Sequence, residues 1–142
     1  MPAKLSPSEI DAFLDSKPGW IVLCTIGPSG HPHAVPIGYF RAGDEIVMGC
    51  VDGTQKIKNV LRNPKVALSL ESGSSMSELR GVCIQGEGRV VTDPEGRLHY
   101  AREGARRRGV AESELPKETR PGSAYIVVVP KRVISWDYSR ER

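Results

Sequence analysis

The sequence predicts a mainly β fold, a small β-barrel with peripheral helices, and three observations carry that prediction. Short β-rich runs recur along the chain, turns rich in Gly, Pro and Asp separate them, and the helical patterns between them are brief. About six antiparallel strands, mostly sequential, remove their edges most economically by closing into a barrel. A chain of 142 residues is the size of one domain, 1–142, at roughly 100–200 residues per domain.

The first element is a helix. Ser6 can cap it, Pro7 suits its first position, and Glu9 stands at capping-box spacing. Ile10, Phe13 and Leu14 share one face, and Lys17-Pro18-Gly19 ends the run. From Trp20 the period becomes strand-like. Residues 20–26 form a strand, Gly27-Pro28-Ser29-Gly30 a turn, and residues 33–40 the return strand of a hairpin. Ala42-Gly43-Asp44 turns again into a strand over 45–51, so these strands read as an antiparallel meander. Asp52-Gly53 breaks it. Residues 54–62 then carry Ile57, Val60 and Leu61 on one helical face until Asn63-Pro64 stops them. Residues 65–71 alternate Val66, Leu68 and Leu70 with small or polar side chains, as a strand does. A Ser/Gly-rich loop over 72–77 leads to a long strand over 80–92, in which Gly86 and Gly88 mark a bulge or bend. Asp93-Pro94 opens a helix over 94–108, and a polar loop follows over 109–122. Strands over 123–129 and 131–136 close the chain, with Pro130 at a bend or edge.

Twenty Lys and Arg against 17 Asp and Glu give a formal charge of +3, which permits an anionic partner without choosing one. Hydrophobic residues at 39% and charged residues at 26% exclude a disordered chain. The longest apolar stretch, 124–129, is far short of the ~20 residues of a membrane-spanning helix. The polar N-terminus carries no apolar signal core. Cys24, Cys50 and Cys83 are odd in number and far apart, which argues against a disulfide framework or a zinc site and for a reducing cytoplasm.

His31, His33 and His99 are the only histidines. His31 and His33 would project to the same side of an extended chain, but no third ligand has metal-site spacing, so no metal is expected. The cysteines lie in predicted strands and read as small buried hydrophobes. No nucleophile elbow, phosphate-cradling glycine loop or dinucleotide fingerprint occurs. Arg102, Arg106, Arg107 and Arg108 are surrounded by Glu95, Glu103, Glu112 and Glu114 and read as a solvated helix face. A nucleic-acid-binding barrel would need aromatics on its strands, and only 6% of the residues are aromatic. The segment Gly53-Thr54-Gln55-Lys56-Ile57-Lys58-Asn59 is more informative. A strand ends there in a glycine turn, and a hydroxyl and two lysines lie within a turn of a helix start. Free amides and the helix dipole favour an anion at such a place. An ordinary polar helix start has the same composition, and both readings stand.

Four short motifs occur in order. Gly30-His31-Pro32-His33-Ala34-Val35-Pro36 is similar to a G-x-P-x-x-x-P entry to a second strand. Thr54-Gln55-Lys56, with Asn63-Pro64-Lys65-Val66-Ala67-Leu68, is similar to an S/T-x-K…N/D-P-R/K-V-A-L block. Arg80-Gly81-Val82-Cys83-Ile84-Gln85-Gly86 matches R-G-V-x-I-x-G, and Val133-Ile134-Ser135-Trp136 matches V-x-x-W. Over about residues 10–136 the chain thereby resembles the pyridoxamine 5′-phosphate oxidase-like, FMN-binding split-barrel superfamily, and within it the small flavin/deazaflavin oxidoreductases.

The resemblance implies a split β-barrel working as a homodimer, with cofactor sites at the subunit interface. It implies that Thr54, Gln55 and Lys56, with Lys58 as a further candidate, hold a cofactor phosphate. Met48, Gly49 and Cys50 would lie along the flavin ring, Val35, Pro36 and Ile37 would border it, and Trp136 would cover it from the other subunit. True pyridoxamine phosphate oxidases carry an arginine near Val35 and a C-terminal R-x-H-x-R stretch. Here the chain has Val35 and ends Asp137-Tyr138-Ser139-Arg140-Glu141-Arg142, so vitamin B6 oxidation is not expected. No residue stands out as an obligatory acid or base, Tyr39 being the nearest proton donor, and a hydride-transfer site allows this.

The activity implied is hydride transfer between bound FMN or coenzyme F420 and a small organic substrate. Residues 56–64 look more like the F420 branch, K-x-R-N-L-x-R-D-P-R, and a groove with Lys56, Lys58 and Arg62 suits a phosphate and an oligoglutamate tail. F420 is therefore favoured over FMN. The alternative is a non-catalytic flavin- or haem-binding protein for storage or sensing. Neither nucleic acid nor membrane is an expected partner, and loops such as 72–79 and 109–122 of both subunits are expected to wall the pocket.

Overall fold

The computed structural model describes residues 1–141, Glu141 by its backbone alone; Arg142, part of the C-terminal end compared above, lies outside the described residues. In chain order the elements are β1 (Pro2–Ala3), α1 (Pro7–Ser16), β2 (Ile21–Ile26), β3 (Pro32–Ile37), β4 (Phe40–Ala42) and β5 (Glu45–Val51). There follow α2 (Gln55–Arg62), β6 (Lys65–Ser72), β7 (Arg80–Val91), α3 (Pro94–Arg107) and β8 (Ser123–Glu141). The local signals act as their chemistry dictates. Ser6 and Glu9 form a reciprocal capping box: the Glu9 amide donates to Ser6 Oγ at 3.2 Å and the Ser6 amide to Glu9 Oε1 at 2.8 Å. At α3 the Gly96 amide donates to Asp93 Oδ2 at 2.8 Å. Such caps contribute about 1 kcal/mol each. Among the described residues no helix is long and apolar enough to cross a membrane.

All strands join one antiparallel sheet, ordered β3-β2-β6-β7-β8-β5-β4, with β1 added to β8. The sheet curls into a half-barrel, the mainly β architecture that the resemblance implied. β8 does much of the curling. Its first residues pair with β5 (Val51↔Ser123 to Ile46↔Val128), while β7 pairs along it from Val91↔Tyr125 to Arg80↔Asp137. The two closing strands expected from Pro130 are thus one strand of 19 residues. Pro130 is accommodated opposite Gly86, where the register shifts between Gln85 and Gly86. A side chain on Gly86 would begin 2.6 Å from the Val129 carbonyl oxygen, so the bend requires glycine.

The strand count is eight among the described residues rather than about six, and the expected meander is not formed. β3 is a sheet edge that pairs only with β2, while β4 and β5 make a separate hairpin that joins β8. The cause lies at Gly38-Tyr39, between β3 and β4. Tyr39 turns into the core and its hydroxyl donates to the Leu14 carbonyl of α1 at 2.5 Å, which carries the chain across the barrel mouth.

Two apolar clusters result. Inside the curl, Ile21, Leu23, Ile46, Met48, Leu68, Ile84 and Ile126 are fully buried together with Ile57 of α2. Each such side chain contributes about 1.5–3 kcal/mol. On the outer face, Val47, Val91 and Val127 pack with Tyr100 of α3, flanked by Phe40, Ala42 and Tyr125. Tyr100 also donates to Glu45 Oε1 at 2.9 Å and accepts from Arg89 at 2.8 Å, which ties α3 across β5 and β7.

Candidate functional site

Strand β5 runs out at Val51 into the turn Asp52-Gly53, where Gly53 has φ 81°. The Asp52 amide donates to the Gly122 carbonyl and its carboxylate accepts from the Gly53 amide, both at 2.8 Å. Thr54 then caps α2 in extended conformation, but its hydroxyl donates back to the Val51 carbonyl at 2.9 Å and makes no side-chain cap. The first intrahelical bond runs from the Lys58 amide to the Thr54 carbonyl at 3.1 Å. The amides of Gln55, Lys56 and Ile57 precede it and belong to the unsatisfied donors of a helix start. The helix is held by a polar chain that runs from exposed Gln55 into the core. Gln55 Nε2 donates to Asn59 Oδ1 at 2.7 Å, and Asn59 Nδ2 donates to Thr25 Oγ1 of β2 at 3.0 Å. Lys56 is half-buried and Lys58 exposed, and neither has a carboxylate partner among the described residues. Arg62 instead donates to the Ile26 carbonyl.

Upstream of this turn the outer edge of β5 borders a cleft of about 670 Å³. Gly49, Cys50 and Val51 line one side, the Gly38-Tyr39-Phe40 connection another, and α3 with residues 116–123 the rest. Within one chain the cleft takes lining residues from the loop over 109–122 and none from that over 72–79. A side chain on Gly49 would begin 3.3 Å from the Tyr125 ring, so glycine there lets the ring lie against the strand. Burial pushes the Cys50 thiol above its ordinary value, against the pull of nearby Lys56, so it stays protonated at neutral pH.

The remaining predicted residues are distributed by strand alternation. The Met48 side chain points into the barrel core, leaving only its backbone toward the outer face. Ile37 is buried, Val35 is half-buried opposite Leu23, and Pro36 is exposed on the other face of β3. Trp136, half-buried on β8, lies over Gly81, whose missing side chain would begin 2.6 Å from the ring. Within one chain it does not reach the cleft. Tyr39 is not a free proton donor: its hydroxyl is engaged by Leu14, and burial pushes its pKa up to about 12. All three cysteines are half-buried rather than enclosed, and all are unpaired.

Sequence reasoning missed the arginines of the cleft. Arg107, Arg108 and Arg120 line it with Lys17, whereas Arg102 and Arg106, from the same run, do not. Helical position was the available signal, but α3 alone does not say which of its faces meets β5.

Comparison with known proteins now bears on this arrangement. A family model described as pyridoxamine 5′-phosphate oxidase matches residues 6–137. The chain belongs to the pyridoxamine 5′-phosphate oxidase family. Its solved relatives agree in fold. A conserved hypothetical protein of Mycobacterium tuberculosis is 28% identical, with a TM-score of 0.80 over 94% of this chain and 86% of that one. An F420 reductase is 23% identical, with a TM-score of 0.65 over 87% and 94% of the two chains. A FAD and heme binding protein of Mycobacterium smegmatis is 20% identical, with a TM-score of 0.75 over 96% and 72%. No curated protein matches the sequence. Within that family, this member pairs Val35 of β3 with Leu23 of β2, and its fold is similar to those of an F420 reductase and a FAD and heme binding protein.

Proposed function

We propose that the protein is a flavin-type oxidoreductase that uses coenzyme F420 in preference to FMN and transfers hydride between it and a small organic substrate. The observation that carries this reading is the helix start after β5, where Lys56 and Lys58 stand without carboxylate partners beside free amides. That donor set fits a phosphate, because amides and ammonium groups both donate, and the one carboxylate of the turn, Asp52, is engaged by the Gly53 amide. Thr54, Gln55, Lys56 and Lys58 would hold it, Thr54 through its backbone because its hydroxyl proton is engaged by Val51. Gly49 and Cys50, with the backbone of Met48, would lie along the ring. Val35, Pro36 and Ile37 would border it from β3, and Trp136 would reach it from a second subunit. When bound, the cofactor supplies the hydride chemistry.

The chain's own part is to bind, orient and exclude water. With Tyr39 engaged and the Cys50 thiol held protonated, neither of these two side chains is poised as a base near neutral pH. The working unit in this reading is a homodimer in the cytoplasm, whose reducing conditions suit three unpaired cysteines. Likeness to an F420 reductase supports the redox role, and likeness to a FAD and heme binding protein supports the storage or sensing alternative. Titration of the purified protein with each cofactor, followed by cofactor fluorescence, tests the proposal. F420 should bind at micromolar or better affinity and more tightly than FMN. Binding of neither overturns the reading, and binding without turnover by any reductant selects storage or sensing.

A further inference from the structure

The polar chain beneath α2 does not end at Thr25. Thr25 is 2% exposed and its hydroxyl accepts from Asn59 Nδ2 at 3.0 Å, which leaves the hydroxyl a proton of its own to donate. Directly across the β2–β3 ladder from Thr25 stands His33. Residues paired in this way hold their Cβ atoms about 4.5–5.5 Å apart. The His33 Nδ1 is buried and has no partner among the described residues, whereas its Nε2 is not enclosed. The other two histidines, His31 and His99, are both exposed.

A buried ring nitrogen beside a hydroxyl proton takes the acceptor role at least cost, and the ring's own proton then sits on the other nitrogen. The Nε2–H of His33 is thus a free donor. It stands on a sheet edge, because β3 pairs only with β2. The bonds from Thr25 through Asn59 lead to Gln55, the first residue of α2, so His33 and the free amides of that helix start share one end of the barrel. Arg62, in the last turn of α2, donates to the carbonyl of Ile26, the neighbour of Thr25, and holds the helix on this edge. Along β3 the more covered face carries His33, Val35 and Ile37. Where Val35 and Ile37 border a cofactor ring and the first turn of α2 holds its phosphate, His33 is the residue of that face on the phosphate side.

We propose that His33 is a further cofactor-binding residue, its Nε2–H donating to the phosphate held at the start of α2 while Thr25 orients the ring through Nδ1. The proposal rests on the phosphate reading of that turn. It gives edge strand β3 a polar part in recognition beside the apolar one of Val35 and Ile37.

Fluorescence titration with FMN and riboflavin, which differ by the phosphate alone, isolates that part. F420 and its phosphate-free deazaflavin chromophore are compared in the same way, and the preference for the phosphorylated member is the quantity read. An asparagine amide reaches only to where Nδ1 stands, whereas a glutamine amide reaches to Nε2. A hydrogen bond to a charged group is worth about tenfold or more in affinity, so H33N should lose about tenfold of the preference and H33Q should keep most of it. Riboflavin affinity should change in neither. A ring needed only for packing predicts equal loss in the two variants, and one needed only for Nδ1 predicts the reverse order. Should H33N fail to fold by circular dichroism, nitrogen NMR of H31Q/H99Q decides, since His33 is then the one remaining histidine. Saturating FMN should shift its Nε2 resonance further than riboflavin does. Equal loss, the reverse order, an unmoved Nε2 resonance, or a preference that falls in K56A but not in H33N overturns this proposal alone. Equal binding of FMN and riboflavin by the wild-type protein would defeat the phosphate reading itself, and this one with it.

Discussion

Lys56 stands half-buried in the first turn of α2, close enough to Cys50 to bear on its thiol, and carries no counter-charge. A hydrogen bond from a charged donor contributes about 1.5–3 kcal/mol. Lys56→Ala should therefore weaken F420 or FMN binding about tenfold or more, and exposed Lys58→Ala should weaken it less, both read by fluorescence titration. Unchanged affinity in Lys56→Ala would move the phosphate away from this turn, while an unchanged melting temperature would show that the fold is intact. Thr54-Gln55-Lys56 is legible in the sequence because a glycine turn, a capping residue and lysines act within one turn of chain. Tyr39 is not, because its partner is the Leu14 carbonyl, 25 residues earlier, and nothing near Tyr39 announces that contact.

Helix α1 closes one end of the half-barrel, and a charge pair docks it to β4. Arg41 donates to both carboxylate oxygens of Asp15, at 2.9 and 2.6 Å. The hydrogen bonds from Arg41, opposed in part by burial, hold the Asp15 carboxyl below its ordinary value of 3.8. A carboxylate so depressed contributes stability above its unfolded pKa and loses it as pH falls through the lower folded value. The Asp15 side chain is 47% exposed, so solvent limits the pair to about 1 kcal/mol or less. Asp15→Asn should thus lower stability by up to about 1 kcal/mol at pH 7 in urea unfolding. The gap from wild type should close as pH falls below 3.8. A gap that persists in acid would show that shape rather than charge docks the helix.

For the whole molecule, the two faces of the sheet differ. α3 covers the outer face over β5 and the start of β8, whereas across β2, β6, β7 and the end of β8 the outer face carries half-exposed Val22, Cys24, Ala67, Cys83 and Trp136 with exposed Ile134. That face is apolar at its centre with Lys65, Glu71, Glu87 and Arg132 around it, a pattern suited to a second copy. Light scattering should accordingly give twice the 15.5 kDa mass of one chain. Ile134→Lys should reduce the mass to one chain and weaken cofactor binding with it. A monomer that keeps full affinity would place the site within one chain. The sequence by itself determined the elements: caps, turn glycines and period-two alternation work between near neighbours, so α1, the β2–β3 hairpin, the bulge at Gly86 and the start of α2 can all be read from it. Only the tertiary structure decided that β5 pairs with β8 and not β3, that β8 runs unbroken through Pro130, and that Arg107 and Arg108 enter a cleft while Arg102 and Arg106 do not. Those outcomes depend on which distant surfaces meet once the sheet curls, and local composition carries no record of such meetings.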